Sequence, residues 1–261
     1  TLPELPEVEY YRRLALQALG REVAEVQAPD DWFLKGGLSA PALADALVGT
    51  GFTEARRIGK LLLLDTDGRA TLGLRFGMTG RLLVDGSAGV DRLIYSSARA
   101  EPVWDRVRVV FADGGDLVVR DPRRLGGVSL DPDESRLGID ATAVSPAGLR
   151  RIMTGSNAPL KARLMDQSRL AGVGNLIADE VLFRAGLDPA RPAGSLLAAE
   201  VRRLHRHLRQ TIEALIEGGG SHTGTLMPMR VAGGTCPRDA TPLQRRTIGG
   251  RTTWSCPRHQ R

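Results

Sequence analysis

Lysine is nearly missing from this chain: of 36 Lys and Arg residues, only Lys35, Lys60 and Lys161 are lysines. Arginine therefore carries the positive charge, and the formal net charge is +6. Arginine grips phosphate with a rigid two-pronged fork, whereas lysine offers a point charge, so the balance suits a polyanionic partner. A GC-rich genome produces the same bias, and the placement of the arginines carries more weight than their number. Long apolar runs are also missing. Leu61–Leu64 is among the longest, and a membrane-spanning helix needs about 20 such residues, so a membrane protein is excluded. The opening TLPELPEVEYYRR has acids where a secretion signal requires a basic stretch and an apolar core. A cytoplasmic protein is expected. There are two cysteines, Cys236 and Cys256, which rules out a disulfide-rich scaffold. One disulfide or a metal site remains, and the second suits an intracellular chain better.

What is present is ample for a core: 261 residues, 42% of them apolar, allow one to three domains. The pattern predicts an α+β multidomain fold. Residues 6–19 read as a helix, with Val8, Tyr11, Ala15 and Leu19 on one face, Pro6 in the first turn and Gly20 at the stop. Short strands follow to about residue 130. Leu72, Leu74 and Phe76 alternate, as do Val107, Val109 and Phe111, and Asp113-Gly114-Gly115 turns the chain into Leu117–Val119. A leading helix with a β-sandwich is thus expected over 1–130. Asp-Pro and Ser-Pro punctuation marks 131–146 as a linker. A helical domain is expected over 147–225, where Leu197, Val201, Leu204, Leu208, Ile212 and Leu215 form one stripe ending at Gly218-Gly219-Gly220. Residues 230–261 hold too little apolar material for a core and need a staple or a metal.

Chemistry concentrates in two places. In the tail, Cys236-Pro-Arg-Asp239 is followed sixteen residues later by Cys256-Pro-Arg-His259. That is the ligand spacing of a zinc ribbon with Asp and His replacing two cysteines, a donor set Zn²⁺ accepts. The bland alternative is a metal-free hairpin of the same shape. Between the pairs, Gly249-Gly250-Arg251 lets backbone approach a phosphate that Arg251 can clamp; by itself it reads equally as a basic turn. In the middle block, Pro159–Gln167, Leu170-Ala-Gly172-Val-Gly174-Asn175 and Ala178–Gly186 predict two helices around a glycine-bearing crossing. There the backbone N–H groups of Gly172 and Gly174, with Asn175 at the helix N-cap, would cradle phosphate. An αα-hairpin packing its own core is the competing reading.

These blocks share the chain with four more: the opening Pro3–Glu9, Arg56–Leu61, Gly77-Met78-Thr79-Gly80 and Asp121-Pro-Arg-Arg124-Leu125-Gly126. In this order, over nearly the whole length, they resemble the bacterial formamidopyrimidine-DNA glycosylase/endonuclease VIII family. The resemblance implies a helix–two-turns–helix domain in the middle block and a zinc-finger-like β-hairpin in the tail. It also implies a base-excision repair enzyme, a DNA glycosylase with AP lyase activity, that everts a damaged base. An N-terminal proline amine attacks C1′, and a Schiff base leads to strand cleavage. Pro3 matches the nucleophile, Glu4 the acid/base carboxylate and Lys60 the lysine at the lesion's backbone. Met78 and Arg124 match the side chains inserted where the base has left, Leu125 the probing-loop position that stacks on the orphaned base, and Lys161, Asn175 and Arg251 the groups that grip phosphates. Cys236, Asp239, Cys256 and His259 match the zinc ligands. No organic cofactor is implied. The implied partner is double-stranded DNA containing a damaged base or abasic site, bound by a monomer in the bacterial nucleoid.

Four departures bear on these expectations. As written, the chain places Thr1 and Leu2 before Pro3, and an internal proline nitrogen is an amide that forms no Schiff base. The Thr1 α-amine, Lys60, processing to expose Pro3, or water attack with Glu4 as base are the remaining routes. A non-catalytic binder of damaged DNA is the rival reading, and a structural duplex-bending protein a third. Leu125 stands where the family usually has an aromatic, so stacking there is weakened. Asp239 and His259 depart from a four-cysteine finger. Finally, the stretch from Gly220 to Cys236 is short for a lesion-capping loop, which argues against 8-oxoguanine as the preferred base. His222 within it is either a substrate contact or a solvated loop residue.

Overall fold

The computed structural model describes residues 3–88 and 101–261; Thr1, one of the amines considered above, lies outside them. The chain divides into two compact units, Thr1–Glu134 and Ser135–Arg261.

The first unit begins with α1 (Leu5–Ala15), capped by Glu4 and continued by a 3₁₀ turn over Leu16–Ala18. The Glu7 carboxylate accepts the Glu4 backbone N–H at 3.0 Å, closing the start of the helix as a capping box does. Val8, Tyr11, Leu14 and Ala15 are buried, the face that the 3.6-residue period assigns inward. A second helix, α2, spans Ala40–Leu47. The strands are β1 (Val23–Gln27), β2 (Phe52–Ile58), β3 (Leu61–Thr66), β4 (Thr71–Arg75), β5 (Arg81–Val84), β6 (Ser87–Ala88), β7 (Asp105–Phe111), β8 (Asp116–Arg120) and β9 (Gly127–Leu130). They form two antiparallel sheets, ordered β1-β7-β8-β5-β6 and β2-β3-β4-β9.

One continuous core joins the sheets. It contains Leu62, Leu64, Leu72, Leu74 and Val128 from one and Leu82, Val107, Val109, Phe111 and Val119 from the other, with Tyr11 of α1. Phe52 and Phe111 meet edge to face across it, ring centroids 6.3 Å apart, a preferred aromatic geometry. The expected sandwich is present, including the alternation of Val107, Val109 and Phe111.

The second unit holds α3 (Pro146–Met153), α4 (Leu160–Leu164), α5 (Asn175–Ala185), α6 (Ala198–Glu217) and the hairpin of β12 (Gln244–Ile248) and β13 (Arg251–Ser255). Within 131–146, expected as a linker, β10 (Ile139–Asp140) pairs in parallel with β11 (Leu170–Ala171). The backbone of that polar stretch thus finds its hydrogen bonds on the middle block, which local composition does not reveal. The α6 stripe is buried from Val201 to Leu215. Leu197 is 68% exposed, because it precedes the helix as its cap and lies off the stripe.

Candidate nucleic-acid interface and metal cluster

In the first unit, Pro3 and Glu4 are both buried, Glu4 with 1% of its surface exposed. A carboxylate there faces the positive end of the α1 dipole. Five residues on, a rise of about 7.5 Å along the helix, Glu9 pairs with Arg57 Nε at 3.3 Å, and Arg57 Nη1 donates to the Gly59 carbonyl at 3.0 Å. Gly59-Lys60 is the two-residue turn of the β2–β3 hairpin, since Ile58 pairs with Leu61. Gly59 has φ +58°, a conformation glycine adopts without a Cβ penalty. The half-buried Lys60 is therefore held by a turn that the α1 carboxylate Glu9 secures from beside the start of the chain.

The two expected probing loops are bolted to each other. Asp121, fully buried, accepts the Thr79 hydroxyl, the Arg123 N–H at 3.2 Å and the Gly126 N–H at 2.8 Å. A Cβ on Gly77 would lie 2.4 Å from the Leu125 carbonyl carbon, and one on Gly126 would lie 2.3 Å from the Arg75 oxygen. Only glycine permits backbones to approach this closely. Tyr11 donates from α1 to the Gly80 carbonyl at 3.1 Å. On this rigid base Met78 is half-buried and Leu125 is 49% exposed.

Arg124 is placed differently from the expectation of a gap-filling side chain. Its guanidinium grips Asp30 through two bonds of 2.5 and 2.7 Å, and Arg106 approaches the same carboxylate at 3.3 Å. Burial works against the Asp30 charge, but the Arg124 hydrogen bonds and the two arginine charges outweigh it and hold its carboxyl below the usual range. Arg124 also has φ +56°, a left-handed conformation that costs a non-glycine residue about 1 kcal/mol or more. Its neighbour Arg123 is exposed, and its side chain has no ion-pair or hydrogen-bond partner among the described residues. Nothing in the sequence separates the two arginines; the pairing with Asp30, 94 positions away, does.

In the second unit the cradle is built otherwise than expected. Gly174, not Asn175, occupies the cap of α5, and the Gly172 N–H is taken by Gln167 Oε1 at 2.9 Å. Gln167 Nε2 also donates to the Met165 and Val173 carbonyls, each at 2.8 Å, so one amide side chain fills the crossing. Asn175 is half-buried at the first turn of α5, with Oδ1 buried and unpaired among the described residues.

Lys161, expected to grip a phosphate directly, is fully buried. Its ammonium pairs with the buried Asp179 at 2.7 Å and donates to the Thr252 carbonyl at 3.1 Å and the Thr253 hydroxyl at 2.8 Å. Fully buried between this carboxylate and two β13 acceptors, the ammonium is turned into the unit and away from solvent. Asp179 also receives Arg230 at 3.0 Å and the Trp254 N–H at 3.2 Å. Lys161 and Asp179 therefore fasten β13 to α4 and α5. At the end of that strand Arg251 is exposed, after the turn Gly249-Gly250 with φ +57° and +73°, the two-residue hairpin geometry that favours glycine. A Cβ on Gly249 would lie 2.9 Å from Ala162 Cβ, so the turn rests on α4. Lys161→Ala removes one of the two cations that neutralise the buried Asp179 and leaves Arg230 alone with it, and we expect a loss of up to about 3–5 kcal/mol in stability, read from the urea midpoint. Arg251→Ala should leave that midpoint unchanged.

The tail brings all four expected ligands together: the donor atoms of Cys236, Asp239, Cys256 and His259 lie within 4.8 Å of one another. His259 Nδ1 is 3.5 Å from Cys236 Sγ, 3.4 Å from Cys256 Sγ and 3.8 Å from an Asp239 oxygen. A tetrahedral ion bound at about 2.0–2.3 Å separates its ligand atoms by about 3.3–3.8 Å, so spacing and donor chemistry both fit a metal. Each Cys-Pro-Arg run forms the same turn, with Ala240 N donating to the Cys236 carbonyl and Gln260 N to the Cys256 carbonyl. Thr241 donates to both Asp239 oxygens, at 3.1 and 2.8 Å, and orients that carboxylate. The cysteines pack with Phe183 of α5, Leu226 and Leu243.

Fold and site together define an architecture of a helix-led sandwich with paired loops, a helix–two-turns–helix and a hairpin whose Cys, Asp and His cluster can hold a metal. The domain models of formamidopyrimidine-DNA glycosylase match it in order, the N-terminal domain over residues 2–128 and the H2TH domain over 137–226. The formamidopyrimidine-DNA glycosylase of Methylococcus capsulatus is 34% identical, and that of Cereibacter sphaeroides 36%, each aligned over 100% of both chains. A solved complex of a Lactococcus lactis FPG mutant with Fapy-dG containing DNA superposes with a TM-score of 0.83 at 25% identity, covering 99% of this chain and 100% of that one. The chain belongs to the formamidopyrimidine-DNA glycosylase family.

Proposed function

We propose that this protein is a base-excision repair DNA glycosylase that everts a damaged base from duplex DNA, releases it, and cleaves the resulting abasic strand. One observation carries the reading. The whole chain aligns with relatives named formamidopyrimidine-DNA glycosylase while keeping a buried carboxylate, Glu4, next to Pro3. A desolvated carboxylate at this position suits the proton transfers of base release. The rival of a non-catalytic binder is disfavoured, because the relatives that align over the whole chain are named glycosylases.

The family resemblance, together with the burial of each side chain, supports the following roles. Pro3 and Glu4 serve the chemistry and Lys60 the lesion's backbone. Met78 and Leu125 enter the space left by the everted base, with Arg123 better placed than Arg124 to accompany them. Asn175 and Arg251 grip phosphates, while Lys161 acts by holding the hairpin. Cys236, Asp239, Cys256 and His259 hold a structural Zn²⁺, which ties the hairpin together and does not react. The working domains are residues 1–130, 147–225 and 230–261, and the setting is the cytoplasm, at the nucleoid. No helix among the described residues is long and apolar enough to cross a membrane.

Borohydride reduction of the protein on a duplex with one abasic site tests the lyase step. We expect a covalent adduct, with peptide mapping naming the amine. Absence of an adduct, with the duplex bound yet uncut, would remove the amine mechanism.

A further inference from the structure

We propose that Trp32 is a DNA-contacting residue whose indole packs on the duplex beside the probing loops, supplying the aromatic surface that Leu125 does not. The inference rests on the glycosylase reading above and adds a contact to it. Among the exposed large apolar side chains of the described residues, Trp32 is the only aromatic, at 67% exposed. An indole left in water forgoes about 2 kcal/mol or more of burial, and Trp is enriched where a surface is covered by a partner.

Its position names that partner. Trp32 lies in the 3₁₀ turn Asp31–Phe33, and the segment around it is laid against the loop carrying Leu125. Asp30 holds Arg124 on one side. On the other, the Lys35 N–H donates to the Val128 carbonyl at 2.8 Å. A Cβ on Gly126 would lie 3.2 Å from Phe33 Cζ, and one on Gly127 would lie 2.6 Å from Lys35 Cε. The Lys35 ammonium sits 5.0 Å from the centre of the Trp32 ring. An aromatic ring with a cation over one face, in a segment that also holds the loop of the exposed Arg123, matches nucleic acid: the ring's other face takes a base or deoxyribose face, and the cations take the adjoining phosphates. Two neighbouring loops thus divide the work one aromatic would do, with Leu125 filling space and Trp32 stacking.

The test uses the full chain and a duplex with one tetrahydrofuran abasic analogue. Trp32→Ala should bind about tenfold more weakly than the unaltered protein, Trp32→Phe should recover most of the loss, and urea midpoints should agree for all three. In the unaltered protein, saturating DNA should protect the Trp32 emission, taken as the difference from Trp32→Phe, against acrylamide. Equal affinity of Trp32→Ala, or a Trp32 emission equally quenched with and without DNA, overturns the proposal while leaving the glycosylase reading intact. Failure of the unaltered protein to bind the duplex overturns both.

Discussion

Glu4→Gln should release damaged bases about 10²- to 10⁴-fold more slowly than the unaltered protein, the usual worth of a positioned acid/base group, while binding abasic duplex equally well. The substitution keeps the size of the side chain and its ability to accept a hydrogen bond, so α1 retains its start. It removes the group that exchanges a proton. Glu4 is 1% exposed, and water cannot readily take its place. Single-turnover release of free base from a lesion duplex measures the loss, and a gel shift on the abasic duplex measures binding. If the Gln variant releases base at the original rate, Glu4 is not the acid/base residue. If it fails to bind, its role lies in holding the helix start.

Removing the metal should have the largest effect on the second unit. The cysteines among the four donors pack with few apolar neighbours, Phe183, Leu226 and Leu243, and a segment with so small a core needs a staple. Zinc binding in small fingers contributes about 10–16 kcal/mol at neutral pH. A strong chelator, or Cys256→Ala, should therefore melt β12 and β13. Trp254, only 7% exposed on β13, should shift its emission to the red, and affinity for duplex should fall about 100-fold as Arg251 and its neighbours lose their positions. Re-addition of Zn²⁺ should restore both in the unaltered protein and neither in the variant. Unchanged Trp254 emission after exhaustive chelation would show that the hairpin stands alone.

The periodic parts of the fold were legible in the sequence. Val8 and Tyr11 declare α1, alternating Val107, Val109 and Phe111 declare a strand with one buried face, and the two Cys-Pro-Arg runs announce a shared site through their spacing alone. Apolar periodicity reports burial directly, and ligand spacing reports a short-range geometric need. The residues whose surroundings the sequence did not reveal were polar ones, most with partners far away in sequence. Lys161 reads as a surface cation until Asp179 and Thr253 surround it, and Arg124 reads as a free finger until Asp30 takes its guanidinium. Gly172 reads as an open donor until Gln167 folds back over it. Charge pairing of this kind leaves no periodic trace, so it appears only when the chain is folded. The exposed Trp32 was missed for the converse reason. A single aromatic in a turn carries no pattern, and its company of Lys35 and the Leu125 loop arises from strand pairing about ninety residues apart.

The most direct measurement is the release of free base, by mass spectrometry, from a duplex carrying one formamidopyrimidine and from the same duplex without the lesion. A protein of the proposed kind liberates the damaged base in proportion to time and leaves the intact duplex whole. Binding of both duplexes with equal affinity and no liberated base would contradict it.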